Sequence, residues 1–223
     1  PGLQGCAGAQ GYPCRMKLHN YFRSSASYRV RIALNLKGLS FEYLPVHIAR
    51  GEHKTPPFSD VSPDGLVPML EDDGHRLTQS MAIIEYLEET HPEPPLLPGD
   101  AIARAHVRSL AMDIACEIHP LNNLRVLRYL VRDLKLSEDD KNRWYRHWVE
   151  TGLEVVERQL AAQPATYCHG EQPTLADCVL VPQIFNARVG AAADKEILHR
   201  DVGHLLARDK AHIIERFLRG DLL

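Results

Sequence analysis

The feature that most constrains the fold of this chain is a proline followed by a hairpin pattern and by a polar pair that opens a helix. Because proline has no backbone N–H, Pro68 fits the start of a strand, and the pattern over 69–78 predicts strand, tight turn and strand. Gln79 and Ser80 precede an apolar run with helical spacing, and we predict Ser80 as its N-cap. Free N–H groups at a helix start attract an anion. The sequence therefore predicts a carboxylate site at the end of a small sheet.

Two motifs in a fixed order carry a resemblance to a known family. Val67-Pro68 followed by Gln79-Ser80 resembles the glutathione-binding half of glutathione transferases, in which a cis-proline follows the residue whose backbone pairs with the tripeptide. Segment 21–34 begins Tyr-Phe-Arg-Ser-Ser-Ala-Ser and resembles the Ser-Ser-Cys-Ser signature of the zeta class. That class contains the maleylacetoacetate and maleylpyruvate isomerases. The resemblance extends over about 16–188, which is most of the chain.

The first part of the chain has the predicted elements of a small α/β domain. Strands are predicted over 17–21 and 42–46, with a helix over 27–37 between them. Together with the hairpin and the helix that follows it, this order is thioredoxin-like, as the resemblance also implies. The Pro-rich stretch 91–100 is predicted to be an interdomain linker. We therefore place a thioredoxin-like glutathione-binding domain at 16–95.

Beyond the linker the apolar spacing is helical. A run over 107–121 has the helical period, and Pro120 is expected to bend that helix because it removes a backbone donor. A further helix is predicted after Ser137, and the segment 174–177 is a capping pattern that opens another. The sequence therefore predicts an all-helical C-terminal substrate domain at 100–223.

Both ends of the chain differ from the part between them. Residues 1–15 are Gly-rich and aperiodic, and we interpret them as a disordered, vector-derived or upstream segment without a signal peptide. After Arg188 the tail is atypical of the family, with only a loosely periodic helix predicted over 203–218. Such a tail would leave a second cleft arginine missing and the helical core incompletely covered.

Composition excludes several kinds of function. The formal net charge is −3, which indicates no nucleic-acid partner. The 12 histidines are scattered without the spacing of metal ligands, so no metal site is predicted. No apolar run approaches the ~20 residues of a spanning helix, so we expect no membrane partner. The 5 cysteines are irregularly placed, which favours a reduced, cytoplasmic protein.

The resemblance implies a reaction that needs the thiol of glutathione. A carbon–carbon double bond does not rotate freely, but a thiolate that adds to the carbon β to a carbonyl leaves a rotatable single bond. Expulsion of the thiolate after rotation gives the trans isomer and returns glutathione unchanged. We therefore expect a homodimeric, glutathione-dependent cis–trans isomerase that acts on maleylacetoacetate or maleylpyruvate, both small dicarboxylates of aromatic catabolism.

The resemblance also implies roles for individual positions. Serine hydroxyls and N–H groups before a helix lower the pKa of a thiol, a histidine can move a proton, and the planar fork of arginine matches carboxylates. The implied catalytic residues are Arg23, Ser24, Ser25 and His119. The implied substrate ligands are Arg23, Arg125 and Arg188. The implied glutathione contacts are Ser24, Ser25, Ser27, Arg29, His53, Val67, Gln79, Ser80, His119, Asn123, Leu124 and Arg125.

One position departs from the family signature. Ala26 stands where the zeta class has cysteine, and alanine offers neither a donor nor a nucleophile. If the sulfur of glutathione does the chemistry and serines activate it, Ala26 is tolerated, and bacterial maleylpyruvate isomerases resemble this chain in lacking that cysteine. Two alternatives stay open. One is a glutathione S-transferase or dehalogenase for small electrophiles, which needs a permissive apolar pocket, and the other is a module that binds glutathione without turnover.

Overall fold

The computed structural model describes residues 16–62 and 64–191, with side chains described through Ala187. The segment 1–15 and the helix predicted over 203–218 lie outside the described residues. The domain limits drawn from the sequence therefore stay predictions.

The chain divides into two compact units, contiguous in sequence at Leu96 and Leu97, and the first contains a four-stranded sheet. Its strands are β1 (Met16–Asn20), β2 (Phe41–Pro45), β3 (Met69–Asp72) and β4 (His75–Thr78). Their spatial order is β2-β1-β3-β4. β1 and β2 are parallel, which requires a crossover helix between them, whereas the other neighbours are antiparallel. This mixed sheet confirms the α/β, thioredoxin-like prediction, with both N-terminal strands shifted by one residue.

Helices pack on this sheet around an apolar core. They are α1 (Ser25–Leu36), α2 (Phe58–Val61) and α3 (Ser80–Thr90), with short 3-10 turns at Ile48–Arg50 and Glu52–Lys54. α1 begins two residues earlier than predicted, because Ser24 is the residue whose side chain caps it. The fully buried side chains of this core include Leu18, Ile32, Leu34, Met69, Leu70, Ile83, Ile84 and Leu87.

The hairpin predicted over 69–78 is confirmed, and its loop has two residues. Asp73 and Gly74 have φ angles of 50° and 81°, and the type I′ turn of two-residue hairpins uses such left-handed values at both central positions. The register pairs Met69 with Thr78 on one side and with His19 on the other. The segments that follow β1, precede β3 and follow β4 therefore lie at one edge of the sheet.

A buried ion pair fastens the end of the first unit. The Lys37 ammonium, whose side chain is fully buried, donates to Glu88 Oε2 at 2.7 Å and to the carbonyls of His91 and Pro94 at 2.7 and 3.0 Å. Glu88 Oε2 also accepts from the backbone N–H of Leu96 at 3.0 Å. All three protons of the ammonium thus have acceptors. The stretch predicted as a linker is held against α1 and α3 at its start.

The second unit is helical throughout its described residues. It contains α4 (Ala101–Met112), a π-helical turn (Asp113–Ile118), α5 (His119–Asn122), α6 (Leu124–Arg132), α7 (Glu138–Ala162) and α8 (Leu175–Ala191). The capping pattern predicted over 174–177 is confirmed, and the helix predicted after Ser137 begins with a capping box. Ser137 and Asp140 form a reciprocal capping box at α7, and Asp177 accepts from Thr174 N at 2.7 Å at the start of α8. No helix among these described residues is long and apolar enough to span a membrane.

Pro120 alters its helix by a route that the sequence did not predict in detail. Instead of one bent helix, α4 ends at Met112 and a π-helical turn precedes the proline. The backbone N–H of His119 donates to Ile114 O, five residues back. Since Pro120 has no N–H for the carbonyl of Cys116, wider hydrogen bonding before it accommodates the missing donor.

α7 is anchored to its neighbours by partly buried hydrogen bonds and by one tight apolar contact. Trp144 Nε1 donates to Leu121 O at 2.8 Å, and the Tyr145 hydroxyl donates to Asn186 O at 3.0 Å. Burial raises the pKa of Tyr145 to about 12, so this donor stays neutral at physiological pH. Further along α7 lies Gly152, where an added Cβ would fall 2.7 Å from Ile118 Cδ1 and closer still to Cγ1. Only glycine allows the helix this approach.

We expect Lys37→Met to lower the free energy of unfolding by about 3–5 kcal/mol, because it leaves the Glu88 carboxylate buried without its cation. Urea denaturation measures this change. Lys17→Met, which removes an exposed lysine of β1, serves as the control and should change stability by less than about 0.5 kcal/mol. Adding Glu88→Leu to Lys37→Met should recover part of the loss. A Lys37→Met protein as stable as wild type would contradict the role given to this ion pair.

We expect Gly152→Ala to destabilise the protein although alanine is the better helix former. Helix propensity alone favours alanine by about 1 kcal/mol, whereas overpacking against the buried Ile118 costs about 1–3 kcal/mol. Thermal and urea unfolding measure the balance, and Thr151→Ala on the exposed side of α7 is the control that gains propensity without the clash. In an Ile118→Ala background the same glycine substitution should no longer destabilise. A stabilised Gly152→Ala single variant would overturn this account.

Candidate active site

The turn before α1 is organised around Ser24. Ser24 N donates to Tyr21 O at 2.9 Å, which closes a β-turn over 21–24. Its side-chain Oγ accepts from Ser27 N at 3.2 Å and so caps the helix. A hydroxyl that accepts one bond keeps its own proton as a donor, and it lies beside the N–H groups of the first turn of α1. A thiol at this position would have its pKa lowered, because each of these groups favours the thiolate.

The neighbouring serines have a different environment. Ser25 and Ser27 are buried, with 4% and 0% of their surfaces exposed. Ser27 Oγ accepts from Tyr21 N at 3.5 Å and ties α1 to the end of β1. The described role of Ser27 is thus structural, and a direct contact with glutathione stays a prediction. Arg23 is exposed and Ala26 is half-buried.

The anion site predicted at α3 is built differently from the expectation. Ser80 is not the N-cap: Gln79 occupies that position, with φ at 68° and no capping hydrogen bond from its side chain. Ser80 is the first helical residue, and its Oγ accepts from Arg29 Nη1 at 3.3 Å. Arg29 is only 2% exposed. A buried guanidinium and a helix N-terminus therefore act on the same spot, and both favour a carboxylate.

Val67 offers its backbone rather than its side chain. The side chain packs in an apolar cluster with Val46, Phe58 and Met69, and the Val67–Pro68 peptide bond is cis. The backbone N–H and C=O of Val67 make no hydrogen bond to another described residue. Such a pair is suited to an extended peptide, which binds by main-chain hydrogen bonds.

The loop that carries His53 closely approaches the segment before Val67. Gly65 has a φ of 59°, and a Cβ there would lie 2.9 Å from the backbone oxygen of His53. Both its backbone conformation and this contact require glycine. The side chain of His53 is largely buried, with 9% of the residue exposed. A contact from His53 to the glycyl carboxylate of glutathione stays a prediction.

Strand register gathers these segments of the first unit. Since His19, Met69 and Thr78 are paired across the sheet, the turn 21–24, Val67 and Ser80 all emerge at one edge. This edge offers hydroxyl and N–H donors, a free main-chain pair and a buried cation. Those are the groups that would hold the thiol, the peptide and the γ-glutamyl carboxylate of glutathione, so the residues present fit this ligand.

In the second unit, Asn123 links the predicted histidine to the start of α6. Its Oδ1 accepts from Arg125 N at 3.1 Å, which makes Asn123 the N-cap of the helix. Its Nδ2 therefore faces His119 Nε2 at 3.2 Å. An amide nitrogen only donates, so Nε2 is the unprotonated ring nitrogen in this arrangement. His119, Asn123 and the first turn of α6 form one connected group.

The predicted substrate ligands differ in what the structure says of them. Arg125 is exposed on α6 and Leu124 beside it is 44% exposed, so both are accessible. Arg188 lies in α8, but its side chain is outside the described residues, and its role stays a prediction. Among residues 16–62 and 64–191, no group of three or more His, Cys, Asp or Glu side chains could hold a metal ion.

One arginine that contacts the turn before α1 was not predicted from the sequence. Arg31 was not among the residues predicted for the site, yet its Nη2 donates to Phe22 O at 3.2 Å, inside the turn 21–24. Residues 24, 28 and 31 share one helix face, and this spacing was the signal available in the sequence. The contact between this helix face and the turn 21–24 depends on tertiary structure.

We expect Asn123→Asp to keep the cap of α6 and change the tautomer of His119. Aspartate and asparagine cap helices about equally well, but a carboxylate accepts where the amide nitrogen donated. The imidazole should therefore carry its proton on Nε2, which ring 15N chemical shifts detect. Asn123→Ser is the control, because serine can still cap α6 but places no amide nitrogen beside His119 Nε2. An unchanged tautomer in the aspartate variant would contradict the contact.

Comparison with known proteins identifies the family. The model of the glutathione S-transferase N-terminal domain matches residues 14–89, and that of the C-terminal domain matches residues 143–204. A probable maleylacetoacetate isomerase of Vibrio cholerae is 48% identical over 172 residues, which are 76% of this chain and 80% of that protein. These matches span both units of the chain.

Solved structures agree with this comparison. The holo structure of a maleylpyruvate isomerase, described as a bacterial glutathione S-transferase in the zeta class, has 42% identity and a TM-score of 0.77, covering 90% of this chain and 95% of that one. A maleylacetoacetate isomerase from Anaeromyxobacter dehalogenans 2CP-1, with glutathione bound in its active site, has 42% identity and a TM-score of 0.70, covering 78% and 82%. The chain therefore belongs to the glutathione S-transferase family, in its zeta class.

Proposed function

We propose that this protein is a glutathione-dependent cis–trans isomerase of maleylacetoacetate or maleylpyruvate. The observation that carries the proposal is the convergence of the Ser24 turn, the Val67 main chain and the Arg29–Ser80 contact at one edge of the sheet. These are the groups needed to hold glutathione, in a chain 48% identical to a probable maleylacetoacetate isomerase.

Bound glutathione would supply a thiolate that adds reversibly to the substrate double bond and so permits rotation. The contribution of the chain begins with Ser24, whose Oγ accepts from Ser27 N and whose proton is directed to the sulfur anion. Ser25 supplies a further N–H or hydroxyl at the same helix start. Ala26 needs no functional group in this scheme, because the nucleophile comes from the ligand.

The remaining contacts of the first unit hold the ends of glutathione. Arg29, Gln79 and Ser80 bind the γ-glutamyl carboxylate at the N-terminus of α3, where helix dipole and guanidinium act together. Val67 pairs with the main chain of the tripeptide. We assign to His53 a contact with the glycyl carboxylate. Each contact orients the thiol without taking part in the bond changes.

The substrate dianion calls for arginine, whose fork can bind each carboxylate bidentately. We assign this role to Arg23, Arg125 and Arg188. His119, oriented by Asn123, binds glutathione or moves a proton at the carbon beside the carbonyl. Leu124 and Arg125 complete the glutathione contacts on this segment. We further propose that the protein acts as a homodimer in the cytoplasm.

The test is to incubate the purified protein with maleylpyruvate, and separately with maleylacetoacetate, with and without glutathione, and to follow loss of the cis isomer by absorbance. We expect loss that requires glutathione. Ser24→Ala should reduce kcat by roughly 10²-fold or more, as removal of a positioned donor does elsewhere. Arg23→Ala should raise KM for the dicarboxylate.

A matched variant separates catalysis from helix capping at Ser24. Alanine at an N-cap also costs about 1 kcal/mol of stability, whereas glycine costs only a few tenths. Ser24→Gly should therefore be nearly as stable as wild type and as inactive as Ser24→Ala. If it is active, the hydroxyl does not activate the thiol. Glutathione binding without turnover of either substrate would leave the binding module as the function.

A further inference from the structure

We propose that Arg31 is a positioning residue of the active site, which holds the turn 21–24 against α1 and thereby fixes Arg23 and Ser24. This inference rests on the proposed function for its effect on catalysis. It concerns a residue two helical turns from the cap, with no contact to a reacting group. The structure offers three observations for it.

The first observation is which carbonyl Arg31 binds. Its Nη2 donates to Phe22 O at 3.2 Å. In the turn closed by Ser24 N and Tyr21 O, Phe22 is the second of four residues, so its carbonyl belongs to the central peptide. The N–H of that same peptide is the N–H of Arg23. Holding this peptide in place holds the backbone from which the Arg23 and Ser24 side chains extend.

The second observation is how Arg31 is itself held. Its guanidinium carbon lies 4.9 Å from the centre of the Tyr28 ring, on the same face of α1, in a cation–π arrangement. Burial lowers the pKa of Arg31, and the neighbouring Tyr43 and Tyr28 act in the opposite direction. An arginine stays protonated in proteins in any case. The group is a fixed donor rather than a mobile surface charge.

The third observation is what Arg31 lacks. Among the described residues, no carboxylate forms an ion pair with it. The usual structural reason for a half-buried arginine is thus missing from this part of the chain. Arg29, two residues earlier, donates instead to Ser80 at the other end of the glutathione site. α1 therefore directs one guanidinium to the carboxylate end and one to the thiol end.

The test compares Arg31→Gln, Arg31→Lys and wild type. The bond to Phe22 O lies at the surface, so we expect the Gln variant to fold with nearly unchanged thermal stability. Its kcat/KM for the isomerisation should fall by about tenfold to a hundredfold, the effect of a displaced catalytic geometry. The pKa of the bound glutathione thiol, read from thiolate absorbance against pH, should rise. Lysine, which can still donate to the carbonyl, should restore part of both.

One control variant and one further variant test whether the effect comes from the turn 21–24. Arg158→Gln removes the same charge from an exposed position of α7 and should leave kinetics and thiol pKa unchanged. Tyr28→Leu removes the ring beneath the guanidinium and should shift both readouts in the direction of Arg31→Gln. Amide hydrogen exchange at Ser24 in the ligand-free protein should accelerate in Arg31→Gln, because its bond to Tyr21 O is then less protected.

The outcomes distinguish this inference from the proposed function. If Arg31→Gln matches wild type in Ser24 exchange and thiol pKa, Arg31 does not position the turn, whatever the activity. If all losses follow a fall in thermal stability, its role is structural and the proposal is wrong. If wild type does not isomerise either substrate, the proposed function fails, whereas Ser24 exchange still decides whether Arg31 holds the turn.

Discussion

The antiparallel register of β1 with β3 is the constraint on which the candidate site depends. It pairs His19 with Met69, while the hairpin pairs Met69 with Thr78. A shift of one residue would turn the side chains of a strand to the opposite face and would displace the Ser24 turn relative to Val67 and Ser80. The buried core of Leu18, Leu70 and their neighbours selects this register, so core packing and ligand binding are set by the same pairing.

Helix starts then supply the chemistry at that edge. α1 and α3 both begin there, but their N-termini are capped in different ways. Ser24 caps α1 through its side chain, whereas Gln79 precedes α3 with a left-handed backbone and leaves capping of the orphan N–H groups to other partners. A bound carboxylate can be such a partner. The lack of a side-chain cap from Gln79 therefore makes the start of α3 less stable by itself, and it leaves the first N–H groups of the helix able to bind a ligand carboxylate.

In the second unit, the backbone donor that Pro120 lacks and the side chain that Gly152 lacks both affect how the helices form and pack. Pro120 is accommodated by a π-helical turn, and Gly152 allows α7 to pack closely on Ile118 within that turn. The short α5 that follows begins with His119, and Asn123 both caps α6 and orients the imidazole. The π-helical turn and the candidate proton carrier His119 therefore lie together in the segment 113–123.

Local patterns in the sequence were sufficient for the fold class, the hairpin and the capping pattern over 174–177, because turn and capping chemistry act between residues a few positions apart. The family resemblance, rather than local pattern, indicated Ser24, Val67 and Ser80 as parts of one glutathione site, and their contacts with glutathione stay predictions. The N-cap at α3 was predicted wrongly. The positive φ of Gln79 is a backbone conformation that the spacing of apolar residues in the sequence does not reveal. The partners of Arg29, Lys37 and Arg31 were decided by tertiary structure alone, because each bond joins side chains or carbonyls that only packing brings within reach.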